Sequence, residues 1–121
     1  MNEDFVPFEL AVKLKEKGFD WRIGYAYDNG GECMYIVTEY DVDYIPAPTI
    51  SQVLKWLREE KLILIGLSPM QEYGGDEVIE WCSTVYKAEK QGGLSWQEEF
   101  YYQSYEQAAL TGIEYVLNNL I

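Results

Sequence analysis

Hydrophobic positions in this chain recur with two different periods, and the changes of period divide it into elements. Across residues 7–18 the apolar side chains Pro7, Leu10, Ala11 and Leu14 share one face at helical spacing. The ends of this first helix are marked chemically. Pro7 suits the first helical position, Glu9 lies near the positive end of the helix dipole, Lys17 near the negative end, and Gly18 stands where a left-handed cap is needed. The period then falls to two over residues 21–27 and 33–39, which predicts a pair of antiparallel strands. Between them Asp28-Asn29-Gly30-Gly31-Glu32 reads as a turn, because an Asn-Gly pair favours positive φ angles.

Helical spacing returns in the segment PAPTISQVLKWLREEK, residues 46–61. Thr49 and Gln52 have the spacing of a capping box, and Ile50, Val53, Leu54 and Leu57 form one apolar stripe flanked by Trp56. Residues 62–67 are apolar without alternation, the pattern of a central strand covered on both faces. Residues 72–77, with Gly74-Gly75, read as a loop. Residues 78–87 and 94–102 alternate again around Gln91-Gly92-Gly93, a second hairpin turn. Ser104 with Gln107 repeats the capping box before a last helix whose stripe is Tyr105, Ala108, Ala109, Gly112, Ile113, Val116 and Leu120. Its small residues Ala108, Ala109 and Gly112 permit close approach to a sheet. The expected architecture is a single α+β domain over residues 1–121, in the order α-β-β-α-β-β-β-α. It has three helices and an antiparallel or mixed sheet of about five strands.

A chain of 121 residues with 48% hydrophobic content can fill one core without metals or disulfides. Cys33 and Cys82 both fall within expected strands, where a small buried thiol is the ordinary role, so no disulfide is expected. The acidic start Met1-Asn2-Glu3-Asp4 lacks the basic region of a secretory signal. The longest apolar run, Leu62 to Ile65, is far too short to cross a bilayer. The expected location is cytoplasmic.

Charge narrows the choice of partner. Twenty-one acidic residues against nine basic ones give a net charge of −12, a field that repels nucleic-acid phosphates and anionic membranes. No basic residue occurs in residues 23–54 or 91–121. The helix over residues 50–61 is no better suited to reading DNA. Its polar face, Ser51, Gln52, Lys55, Arg58, Glu59 and Glu60, offsets two positive charges with two negative ones, and no second helix precedes it across a short turn. Neither direct nucleic-acid contact nor membrane association is expected.

Catalytic chemistry is sparse. There is no histidine, which removes the commonest general base and zinc ligand, and no phosphate-binding loop, dinucleotide fingerprint or Cys-x-x-Cys pair is present. No cofactor or metal is expected. One cluster stands out: Glu39-Tyr40-Asp41-Val42-Asp43-Tyr44-Ile45-Pro46-Ala47-Pro48. Extended, it points Glu39, Asp41 and Asp43 to one side and Tyr40, Val42 and Tyr44 to the other. Three readings follow. The carboxylates can hold a hard cation, although the spacing lacks the glycine and distant glutamate of an EF-hand. The tyrosines can anchor a partner, which makes Glu39, Tyr40, Asp41, Asp43 and Tyr44 the partner-binding candidates. Or the segment is an ordinary acidic connection with Tyr44 turned inward.

Residues 5–20 (FVPFELAVKLKEKGFD), 46–61 and 101–108 (YYQSYEQA) resemble a group of short uncharacterised proteins of gut bacteria and their prophages or other mobile elements. The resemblance implies that these three blocks recur together in one domain, and it brings no activity, cofactor or site residue. The expected function is a cytosolic protein-binding domain, with a mobile-element setting and an unknown protein partner. Two alternatives stay open: an acidic DNA mimic that inhibits a nucleic-acid-binding enzyme, and an enzyme working through carboxylates and tyrosine. Self-association into a homo-oligomer is left open as well.

Overall fold

In the computed structural model, which describes residues 4–38, 44–71 and 78–121, the chain forms three helices and six strands. In order these are α1 (Phe8–Glu16), β1 (Tyr25–Tyr27), β2 (Met34–Ile36), β3 (Ile45–Pro46), α2 (Ile50–Glu60), β4 (Ile63–Gln71), β5 (Val78–Ala88), β6 (Leu94–Tyr102) and α3 (Tyr105–Asn119). Packing groups the chain into two compact units, Met1–Val53 and Leu54–Ile121.

The fold remains α+β, but the expected strand count and order are corrected. There are two separate three-stranded antiparallel sheets, ordered β2-β1-β3 and β4-β5-β6, and the element order is α-β-β-β-α-β-β-β-α. The additional strand, β3, is two residues long and contains Pro46, which pairs with Ala26. A strand so short, carrying a proline, has no periodicity to reveal it, and proline is tolerated there because β3 lies at a sheet edge. The apolar run at residues 62–67 is corrected too. It opens β4, which lies at an edge and continues to Gln71, while β5 is central.

In the N-terminal unit, α1 ends in a Schellman motif. Gly18, at φ +95°, donates to Lys15 O at 3.1 Å, and Phe19 N donates to Leu14 O at 2.9 Å. Leu10, Ala11 and Leu14 are buried, whereas Pro7 is exposed and caps the helix from just outside it. The segment before α1 is tied by backbone bonds: Val6 N to Pro48 O at 3.0 Å and Ile50 N to Asp4 O at 2.8 Å. Aromatic side chains of this segment and of the first residue of α1 meet β1. Phe5 meets Tyr25 edge-on at 5.4 Å, and Phe8 meets Tyr27 edge-on at 5.5 Å. The Tyr27 hydroxyl donates to Val6 O, and burial pushes its pKa up.

The β1–β2 turn places its positive φ at Gly31 (+73°) rather than at the Asn29-Gly30 pair. Gly31 N donates to Asp28 O at 3.0 Å, and Glu32 N donates to the Asp28 carboxylate at 3.0 Å. Gly31 also lies against the Phe8 ring so closely that a Cβ there would stand 2.4 Å from ring carbons. Helix α2 begins in this unit with the reciprocal capping box, Thr49 N to Gln52 Oε1 at 2.8 Å and Gln52 N to Thr49 Oγ1 at 3.2 Å. Ile50, Val53 and Leu57 are buried and Lys55 and Arg58 exposed, as the stripe requires. Leu54 is only half-buried, however, and Trp56 is enclosed instead.

In the C-terminal unit, α3 packs on one face of the β4-β5-β6 sheet. Its N-cap is Ser104, whose hydroxyl accepts from Gln107 N at 3.1 Å. Gly112 permits the approach: a Cβ added to it would lie 3.2 Å from Ile65 and 3.4 Å from the Ser83 hydroxyl. Trp81 meets Tyr105 edge-on at 5.2 Å, and Phe100 meets Tyr115 at 5.6 Å. The buried stripe of α3 is Ala108, Ala109, Gly112, Ile113, Val116 and Leu117, with Leu117 in place of the expected Leu120.

Candidate functional site

The side chains that α3 meets on the sheet, Ile65, Ser83, Trp81 and Phe100, identify its covered face, and strand alternation assigns the intervening residues to the other face. Register then aligns three rows on that second face. In the centre lie Glu80, Cys82, Thr84 and Tyr86 of β5. Opposite them are Met70, Ser68, Gly66 and Leu64 of β4, and on the other flank Tyr101 faces Cys82, Glu99 faces Thr84 and Trp96 faces Tyr86. A bulge between Val85 and Tyr86 leaves Gln97 as the extra residue of β6, so Trp96 keeps the same face as Glu99 and Tyr101.

This second face is open to solvent. Trp96 is 54% exposed, Tyr101 47% and Met70 41%, and Glu80, Glu99, Gly66 and Ser68 are exposed as well. Gly66 and Ser68 add no bulk, so the surface is low along β4 and raised along β6. Among the described residues of the three strands the only basic side chain is Lys87, which shares the register parity of Ser83 and Val85. The open face therefore combines aromatic and thioether surface with two carboxylates and no cation.

A small polar cluster lies at its centre. The Cys82 sulfur is buried, 3.5 Å from Thr84 Oγ1, and donates to Glu99 Oε2 at 3.9 Å. Electrostatic interaction with Cys82 foremost, then with Glu99, and hydrogen bonding to both push the pKa of the Tyr101 hydroxyl upward. Tyr101 offers a hydrogen-bond donor and contact surface. Cys82 and Cys33 are both free thiols, Cys82 buried and Cys33 exposed just before β2. Among the described residues no three Cys, Asp or Glu side chains come together to hold a metal ion.

Of the partner-binding candidates in the acidic segment, Glu39, Tyr40, Asp41 and Asp43 lie outside the described residues. Tyr44 is half-buried, its hydroxyl 3.4 Å from Trp21 O. The open sheet face escaped sequence reasoning because it depends on where α3 lies. One local signal was present nonetheless: Phe100 and Tyr101 are adjacent in a strand, so aromatic surface is displayed on both faces of β6.

No protein-family model, no curated protein and no solved structure matches this chain. Among the described residues no helix is long and apolar enough to cross a membrane.

Proposed function

We propose that the chain is a protein-binding domain and that the open face of its C-terminal sheet receives a basic segment of a partner protein. The observation that carries this reading is the exposed group of Trp96, Tyr101 and Met70 set among Glu80 and Glu99 with no cation on the same face. Tryptophan, tyrosine and methionine are the residue types enriched at protein interfaces. An arginine or lysine of the partner can lie over Trp96 or Tyr101 while its charged end reaches a carboxylate. A second copy of this chain is a poorer occupant, since it presents the same carboxylates and the same charge of −12. Two free thiols favour a cytoplasmic location, and the mobile-element setting rests on the resemblance of residues 5–20, 46–61 and 101–108.

The test is capture of partners from the native host at several salt concentrations, comparing the parent chain with Trp96→Ala/Tyr101→Ala and with Glu80→Lys/Glu99→Lys. A partner held on this face should be lost by about tenfold or more in both variants, the range of interface anchors, while their thermal midpoints stay near the parent's. Its contacting segment should be basic. Retention by these variants together with loss on Tyr40→Ala/Asp41→Lys/Asp43→Lys would move the site to the acidic segment. Weak losses spread over many separated carboxylates, with steep salt dependence, would favour the DNA-mimic reading instead.

A further inference from the structure

Three of the nine basic residues in this acidic chain, Lys61, Lys87 and Lys90, line one pocket of about 370 Å³ in the C-terminal unit. They arrive from three places: the end of α2, the end of β5 and the β5–β6 turn. Each is placed by structure that does not depend on the others. The Lys61 ammonium lies 5.4 Å from the centre of the Trp56 ring, which is itself buried, so a cation–π contact restrains it. Lys87 is set by its pairing with buried Ile63. The turn that carries Lys90 is fixed by Gly92 at φ +92° and Gly93 at φ +87°, with Gly92 N donating to Glu89 O at 3.0 Å and Glu89 N to Gly93 O at 3.1 Å.

The same pocket holds a conformational anomaly. Leu62 is the one non-glycine residue with positive φ (57°) among those described, and it is 59% exposed, so no core packing accounts for its conformation. What the conformation does is bring the Lys61 end of α2 to the start of β4 while Leu62 O accepts from Ala88 N at 2.9 Å, joining both sides of the pocket. Leu62 stands two residues beyond α2, the position at which helices commonly end in the left-handed conformation, there usually with glycine. Only Glu89 offsets the three ammonium groups within the lining, and the Gln91 amide adds a neutral donor.

We infer that this pocket binds the phosphate group of a small phosphorylated molecule, with Lys61, Lys87 and Lys90 as its charged donors. The volume lies within the range of small-molecule sites and exceeds what a lone phosphate needs, leaving room for the group that carries it. This site is separate from the open sheet face and does not depend on the docking proposal.

The experiment is a titration of the full chain, followed by amide chemical shifts at constant ionic strength, with sodium chloride as the control and inorganic phosphate, pyrophosphate and a mononucleoside monophosphate as probes. Saturable shifts confined to residues 61–62 and 87–91, absent with chloride and tighter for the organic phosphate than for inorganic phosphate, are expected. Lys87→Gln/Lys90→Gln should weaken the best probe by about tenfold, the scale of losing charge-assisted hydrogen bonds, with an unchanged melting temperature. Lys61→Gln should weaken it by a similar factor. Unsaturable shifts, shifts scattered over other lysines, or equal affinity in the lysine variants would overturn the site. Saturation by inorganic phosphate alone, with the organic phosphate excluded, would overturn the assignment to a phosphorylated small molecule.

Discussion

Leu57→Ala is expected to remove about 2–5 kcal/mol of stability, the range for deleting a fully enclosed leucine side chain. Leu57 has no exposed surface in the folded chain, and it lies next to Trp56, which is 1% exposed. A leucine so enclosed cannot be replaced by water-filled space, because an apolar cavity of this size stays empty and its lining loses dispersion contacts. The loss is a large share of the roughly 5–15 kcal/mol that a domain possesses. Urea denaturation followed by tryptophan fluorescence measures it, and Arg58→Ala, on the exposed side of the same turn, serves as the reference with a change within about 0.5 kcal/mol. A Leu57 effect as small as the Arg58 effect would mean that this side of α2 is not core.

Gly31→Ala is the second large effect, and it has two separable causes. Alanine at φ +73° meets its own carbonyl, a cost of about 1–2 kcal/mol. Its Cβ would also stand 2.4 Å from carbons of the Phe8 ring, whose edge-on contact with Tyr27 limits its freedom to swing away. Such overpacking costs about 1–3 kcal/mol more. A double-mutant cycle divides the total. In a Phe8→Ala background the steric part should vanish and the backbone part remain, so Gly31→Ala should cost only about half as much there. Equal costs in both backgrounds would show that the ring is not what the glycine accommodates.

Helix boundaries were legible because their signals are local. Gly18 after Lys17 and Thr49 with Gln52 satisfy backbone groups within one turn as the sequence places them, whereas of the capping box expected at Ser104 and Gln107 only the Ser104 hydroxyl cap forms. The first strand pair was legible as a pair, but residues 21–24 and 37–38 fall outside strands although they continue the alternation. Beyond the two hairpins, β1–β2 and β5–β6, sheet membership was not legible. Whether the run at residues 62–67 is central or at an edge depends on which strand pairs beside it, and the run is apolar either way. The third strand of the first sheet likewise rests on β3 pairing with β1, a contact between two residues on each side. For the candidate site the reason is similar. Glu99 and Tyr101 can be read as one face of β6, but the bulge that brings Trp96 onto that face and the position of α3 on the opposite one are not local signals.

The edges of the C-terminal sheet give the chain's acidity a second meaning. β4 is protected at its edge by Pro69, which has no donor to offer another strand, and by an irregularity between Met70 and Gln71. β6 has no proline. Its nine residues, LSWQEEFYY, offer an unpaired backbone bordered by aromatic side chains, interrupted by one bulge and guarded by Glu98 and Glu99. Two such edges brought together would set four carboxylates side by side, and their repulsion opposes that pairing. As the pH approaches the isoelectric point near 4.2 the net charge of the chain vanishes and the long-range repulsion between molecules fades. The unpaired edge of β6 then becomes a template for aggregation, and a concentrated acidic solution of this protein should turn turbid before it unfolds.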